Sequence, residues 1–163
     1  YIFTFLITIS FFAFLACTHK RTTAMPNLKT HALRLKPGAD LKKSLQSYVN
    51  EHKCKAAWIS TAVGSLTDYH IRFANQTNGS KDSGHFEIVS LVGTLSENGS
   101  HIHISVSDST GKTTGGHLMD GCIVYTTAEI VLLCDENLVF KREKDGTTPW
   151  EELQIEEVSG KKD

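Results

Sequence analysis

Three histidines carry the clearest chemical signal of this chain. His101 and His103 lie in a run where His alternates with Ile, so a β-strand there would point both imidazoles to one face. Strand twist and rotamer choice can bring two such rings onto one tetrahedral metal. His117 is the candidate third ligand, because the two glycines before it allow close backbone approach and residues 109–112 could turn the chain back. The spacing indicates a three-histidine metal site, with solvated or hydrogen-bonded histidines as the alternative.

Glu129 is the candidate catalytic residue. It lies within residues 122–134, the longest hydrophobic run after Met25. A carboxylate in such a run is either exposed or buried with a partner. Near three imidazoles it could be a fourth ligand, orient a ligand or act as a general base. An exposed or oligomer-facing Glu129 is the alternative.

The beginning of the chain is hydrophobic as far as Cys17 and resembles a signal-peptide core or a short membrane anchor. Its flanks argue against both, because the basic residues follow the apolar stretch. We therefore expect residues 1–24 to be a hydrophobic leader or mistranslated upstream sequence, residues 25–158 the working domain and residues 159–163 a frayed tail. Translation from Met25 predicts a cytoplasmic domain without stable membrane association, whereas a genuine leader predicts export or tethering.

Charge argues against nucleic acid as a partner. Without Lys20 and Arg21, 15 of the 17 basic side chains remain against 18 acidic ones. Phosphate binding needs a concentrated basic patch, which this composition does not supply.

Three cysteines follow Met25, at positions 54, 122 and 134. Their odd number and wide spacing predict reduced thiols in strands, with no disulfide framework and no CxxC zinc knuckle. Cys122 could be a catalytic thiol, but a small buried apolar side chain is the favoured interpretation.

The pattern of the remaining elements predicts an α+β fold. Asp40 is a candidate N-cap for an amphipathic helix from Leu41 to about His52. Alternating runs on both sides predict strands, including separate strands at 56–66 and 69–75, and Asn98-Gly99 predicts a hairpin. We expect a single compact domain, a largely antiparallel sheet with one or two flanking helices.

Several motifs resemble the plants-and-prokaryotes-conserved (PPC) domain. They are residues 31–41, 58–66, 84–95, 115–118 and 129–131, in the family's order and spacing. The resemblance implies a compact α+β domain that assembles as a homotrimer.

In plant PPC proteins, a segment similar to residues 84–89 contacts protein partners and an appended AT-hook binds DNA. The resemblance makes this segment a candidate partner-binding site, comprising Gly84, His85, Phe86, Glu87, Ile88 and Val89. The sequence contains no Arg-Gly-Arg-Pro hook, and His85 stands where the plant segment carries Arg. DNA binding is therefore the least favoured function.

The PPC fold is also similar to that of acetolactate decarboxylase and a related zinc-dependent ester hydrolase. That similarity implies zinc ligands at His101, His103 and His117, and neutral imidazoles favour Zn²⁺ while leaving other divalent transition metals open. The first hypothesis is a metal-dependent hydrolase or lyase acting on a small carbonyl or ester compound. The second is a trimeric protein-binding or scaffold module in which the histidines are incidental.

Overall fold

The computed structural model describes residues 27–158, so the expectations for residues 1–24 and 159–163 lie outside it. One helix and eight strands follow in chain order. They are β1 Leu28–Leu35, α1 Leu41–Glu51, β2 Ala57–Arg72, β3 Ser80–Ser96, β4 Gly99–Ser107, β5 Thr113–Leu118, β6 Ile123–Asp135, β7 Leu138–Glu143 and β8 Glu152–Glu157.

The helix α1 forms as the sequence predicts. The Asp40 side chain caps it by accepting a hydrogen bond from the backbone N–H of Lys43 at 3.1 Å. Leu41, Leu45 and Val49 recur at helical spacing and are fully buried against the sheet. Within residues 27–158, α1 is the single helix.

Six strands form one antiparallel sheet in the order β1-β6-β2-β3-β4-β5. The last strand, β5, also pairs with the end of β2, which closes β2 to β5 into a ring. The even-numbered residues of β4 and β6 are buried, except Ser100 and Thr126, and the odd-numbered residues lie on the outer face. The α+β class and the antiparallel sheet are confirmed.

The strand β2 continues where the sequence predicts two separate strands. Gly64 permits this, because a Cβ there would lie 2.2 Å from the Thr127 carbonyl oxygen and the residue has φ +152°. The pairing with β6 shifts register beside this glycine, as expected of a bulge. One long, bent strand can therefore border β6, β3 and β5 along its length.

The C-terminal strands β7 and β8 do not join the main sheet. They pair with each other as a separate two-stranded sheet. Arg142 of β7 donates a hydrogen bond from Nη2 to Thr94 Oγ1 of β3 at 2.7 Å, and Phe140 N–H donates to the Lys55 carbonyl at 2.9 Å. This hairpin therefore lies over the β3 side of the sheet.

The prediction of reduced cysteines is wrong for two of them. Cys54 and Cys134 form a disulfide that joins residues 80 positions apart, with their Cα atoms 5.9 Å apart. Sequence spacing did not indicate the bond, because β-pairing between Ala57 and Cys134 creates the proximity. Cys122 is free and buried, which agrees with its favoured interpretation.

Within residues 27–158, the helix α1 is not long and apolar enough to cross a membrane.

Candidate metal centre

The hairpin of β4 and β5 assembles the three histidines. Residues 108–112 turn the chain back, with Asp108 Oδ1 accepting hydrogen bonds from the backbone N–H of Thr110 and Lys112. In the resulting register His103 lies directly opposite His117. The predicted antiparallel return of the chain is confirmed.

Their imidazoles converge on one point of the outer face. His101 Nε2 and His103 Nε2 are 3.2 Å apart, and one ligand nitrogen from each of the three rings lies within 4.8 Å of the others. Ring centroids are 5.0 Å apart for His101 and His103, 5.2 Å for His101 and His117, and 5.9 Å for His103 and His117. Nitrogens that share one metal ion each lie about 2 Å from it, so separations of this size are compatible with a common ion.

The glycines before His117 let the strands approach as the sequence predicts. A Cβ on Gly116 would lie 2.6 Å from the Arg72 carbonyl oxygen of β2, and one on Gly115 would lie 2.7 Å from the Ile104 carbonyl of β4. Both distances are too short for any side chain. The bare backbone therefore places His117 between β2 and β4, opposite both Arg72 and His103.

Burial and mutual repulsion keep two of these rings neutral. Burial is the main cause that lowers the pKa of His117 to about 4, and the charge of His101 adds to it. The pKa of His101 is also lowered, first by burial and then by the charge of His103. Neutral imidazole is the form that binds a metal, so these rings are ready to bind one at neutral pH.

An unsatisfied atom supports the fit of a metal. Within residues 27–158, His117 Nδ1 is buried and has no hydrogen-bond partner. Such an atom is costly unless a ligand, ion or water satisfies it. Three convergent imidazoles with one unsatisfied ring nitrogen are a donor set that suits Zn²⁺ and related transition metals.

Glu129 lies elsewhere in the fold. It is exposed on β6, opposite Arg34 of β1 and Val63 of β2. Since β2 and β3 lie between β6 and β4, a single protomer does not bring Glu129 to His101 and His103. Its catalytic role stays a prediction.

Glu152 is the carboxylate that sequence reasoning missed. It begins β8, is half-buried and lines two cavities together with His101. Its negative charge raises the pKa of His101, against the net downward shift. Nothing in the local pattern indicated this, because the position depends on how the β7–β8 hairpin packs on the main sheet.

A cavity of about 480 Å³ lies beside the histidines and is rich in basic and aromatic groups. Arg72 and Arg142 line it with His101 and His117, and Lys42 adds a third cation from α1. The Arg72 guanidinium carbon lies 5.9 Å from the centroid of the Trp150 ring, whose side chain is 67% exposed. Glu151 and Glu152 also line the cavity, so three cationic side chains face two carboxylates.

The candidate partner segment 84–89 lies in β3 and is only partly available. Phe86 and Ile88 are buried in the core, whereas His85, Glu87 and Val89 are exposed. The His85 ring lies 4.4 Å from that of Tyr125, centroid to centroid. The outer face of β3 therefore presents the odd-numbered members of the segment to solvent.

A model of the Plants and Prokaryotes Conserved (PCC) domain, the family called PPC above, matches residues 22–134. The chain belongs to the PCC domain family. This PCC chain is 42% identical over 133 residues to the bifunctional protein GlmU of Synechococcus sp. (strain JA-3-3Ab), a match that covers 82% of the chain and 21% of the relative. The chain spans about a fifth of the length of this relative.

Two solved structures extend the comparison. A hypothetical protein of Salmonella cholerae-suis shares 39% identity at a TM-score of 0.80, over 82% of the PCC chain and 97% of the other. A metal-containing protein of Archaeoglobus fulgidus shares 25% identity at a TM-score of 0.63, over 77% and 93% of the two chains. The expected family and fold are confirmed.

Proposed function

We propose that this PCC protein binds a divalent transition metal, zinc in the first instance, through His101, His103 and His117, and acts on a small carbonyl or ester compound. The observation that carries the proposal is the convergence of three imidazoles, one of which, His117, has a buried Nδ1 with no hydrogen-bond partner. The metal content of the Archaeoglobus relative supports it. When bound, such an ion polarises a carbonyl oxygen and acidifies a water molecule.

The cationic side chains of the 480 Å³ cavity indicate the class of substrate. Arg72 and Arg142 provide planar guanidinium groups that match a carboxylate or phosphate, and Lys42 adds a point charge. The exposed Trp150 ring offers an apolar face at the rim. We therefore favour a small substrate that combines a carbonyl or ester group with an acidic group.

Glu152 is the proposed proton-transfer group. Its carboxylate lines the cavity shared by Arg142 and His101, so it can accept a proton from a group bound there.

Metal analysis of the purified, non-reduced protein tests the proposal. We expect about one equivalent of bound metal in the wild type and a loss of at least ten-fold in affinity for zinc in His103→Ala. His85→Ala is the matched control, since His85 is an exposed histidine on the adjacent strand β3. Equal metal content in the two variants would refute the three-histidine site.

A trimeric protein-binding module is the second candidate. Apolar side chains are exposed on β2, β3 and β6, where Val63 and Val89 are each 59% and Tyr125 is 42% exposed. Exposed apolar groups on sheet faces are a common feature of interfaces. Under this alternative, His103→Ala would leave oligomeric state and partner association unchanged.

A further inference from the structure

We propose that the reduced protein has a second metal site, formed by Cys54, Cys134 and His31, which binds a thiophilic divalent cation such as Zn²⁺. The site shares no residue with the three-histidine cluster, and the proposal does not depend on the function proposed above. Formation of the disulfide would abolish the site.

Three separate elements bring the ligands together. Cys54 follows α1, where its N–H donates to the Val49 carbonyl at 3.0 Å, and it is 5% exposed. Cys134 is near the end of β6 and is 4% exposed, and His31 lies on the neighbouring strand β1. One ligand atom from each residue lies within 4.8 Å of the others. In the disulfide form, two sulfurs and a nitrogen thus lie together without a local sequence motif, and the Cα atoms of the cysteines are 5.9 Å apart.

His31 has the orientation of a ligand. Its Nδ1 lies 3.1 Å from the Tyr48 hydroxyl, and its Nε2 lies 4.0 Å from Cys54 Sγ. A hydrogen-bonding partner on one ring nitrogen and a thiolate near the other is the usual arrangement for a metal-binding imidazole. Tyr48 therefore holds the ring with Nε2 directed at the sulfurs.

The surroundings allow a cation to enter and thiolates to form. A cavity of about 410 Å³ is lined by all three residues and by His52, Lys53 and Lys55. Ammonium groups near a thiol favour its thiolate, which is the form that binds a metal. The His52 ring lies 5.4 Å from that of His31, so the fourth position is open to water or to His52.

Reduction converts the disulfide form into the dithiol form that binds the metal. A thiol or phosphine reductant supplies two electrons, the Sγ–Sγ bond breaks, and two protons from solvent complete the two thiols. Metal binding then releases both protons, because the ligands are thiolates. Two sulfurs on one tetrahedral zinc lie about 3.8 Å apart, against about 2 Å in a disulfide, so the sulfurs must move apart by about 2 Å when the metal binds.

Cobalt titration provides a specific test, because thiolate ligands give Co²⁺ a near-ultraviolet charge-transfer band that imidazoles alone do not give. We would use the His103→Ala background, in which failure of the three-histidine proposal cannot affect the result. After phosphine reduction in the absence of oxygen, we expect one equivalent of Co²⁺ to produce the band and Zn²⁺ to displace it. The oxidised protein should give no band.

Three variants in that background complete the test. Cys54→Ser should lose the band, and His31→Gln, which keeps both thiols, should bind Co²⁺ at least ten-fold more weakly. Cys122→Ser is the control and should keep the band, since Cys122 is buried outside this cluster. Absence of the band in the reduced parent, its persistence in Cys54→Ser, or loss of the native circular dichroism on reduction would each overturn the proposal.

Discussion

At the scale of single residues, the groups around each histidine ring determine its protonation state and its contacts. Two of the histidine-containing clusters differ in the groups that surround their rings. His117 lies between Arg72 and His103 in adjacent strands, so both burial and positive charge favour its neutral form. His31 instead faces the sulfur of Cys54 and is held by Tyr48. Histidine thus lies beside other imidazoles in one cluster and beside cysteine sulfur in the other.

The low pKa of His117 predicts acid sensitivity of the metal-free protein. Its pKa is about 4 in the folded state against 6.5 for an ordinary histidine, so between these values the unfolded chain binds more protons. The free energy of unfolding should therefore fall as the pH decreases from about 6.5 towards about 4. Urea unfolding from about pH 7 to about pH 5 measures this slope.

Two histidine variants isolate the contribution of His117. His117→Gln should reduce the dependence of unfolding free energy on pH, whereas His85→Gln, at an exposed position, should keep the wild-type slope. An unchanged slope in His117→Gln would contradict the assignment.

Glu152 and Glu129 give opposite predictions for catalysis. In the zinc-loaded protein, Glu152→Gln should lower the metal-dependent hydrolysis of an activated ester such as 4-nitrophenyl acetate by about 10²-fold, because its carboxylate lines the cavity. Glu129→Gln changes an exposed side chain on β6 and should leave the rate unchanged. A lower rate in Glu129→Gln together with an unchanged rate in Glu152→Gln would support Glu129 as the catalytic residue and contradict the role proposed for Glu152.

At the scale of elements, the β4–β5 hairpin positions the three histidines, and β3 pairs with β4 beside them. Gly93 of β3 pairs with Ile102 of β4, and a Cβ at Gly93 would lie 2.3 Å from the His101 carbonyl oxygen. The close approach of β3 and β4 fixes the position of β4, and therefore the positions of His101 and His103 on the outer face. A side chain at position 93 would push β4 away.

Gly93→Ala should therefore lower both stability and metal affinity. We expect a loss of about 2–4 kcal/mol in the free energy of unfolding, since the clash is with backbone. Gly111→Ala is the control, because a Cβ there meets nothing within 4 Å and only the positive φ of +83° opposes it, for about 1 kcal/mol. Denaturant unfolding and zinc titration measure the two effects; a Gly93→Ala protein with wild-type values would refute this account.

At the scale of the whole molecule, the long strand β2 runs between the cluster of His31, Cys54 and Cys134 and the cluster of His101, His103 and His117. It borders β6, which carries Cys134, and its end borders β5, which carries His117. The sheet also leaves the apolar side chains of Val63 and Val89 exposed. Assembly with further copies would cover them.

We therefore predict a trimer whose interface includes the exposed side chains of Val63 and Val89. Light scattering at micromolar concentration should report three times the protomer mass, and Val89→Asp should shift the population towards monomer. Ile155→Asp is the matched control, because Ile155 on β8 is 60% exposed, as Val89 is at 59%, but lies on the separate hairpin. A monomeric wild type would contradict the prediction.

The sequence by itself determined the local features and the histidine cluster. Asp40 and the apolar spacing after it predicted α1, Asn98-Gly99 predicted the β3–β4 turn, and His-x-His with Gly-Gly-His predicted which imidazoles meet. These signals are local because capping, turn formation and strand alternation act between residues close in the chain. Only the tertiary structure decided the Cys54–Cys134 bond, the distance of Glu129 from the cluster and the place of Glu152 in the cavity. Each of these depends on strand order and hairpin packing across many residues, which no short spacing in the sequence records.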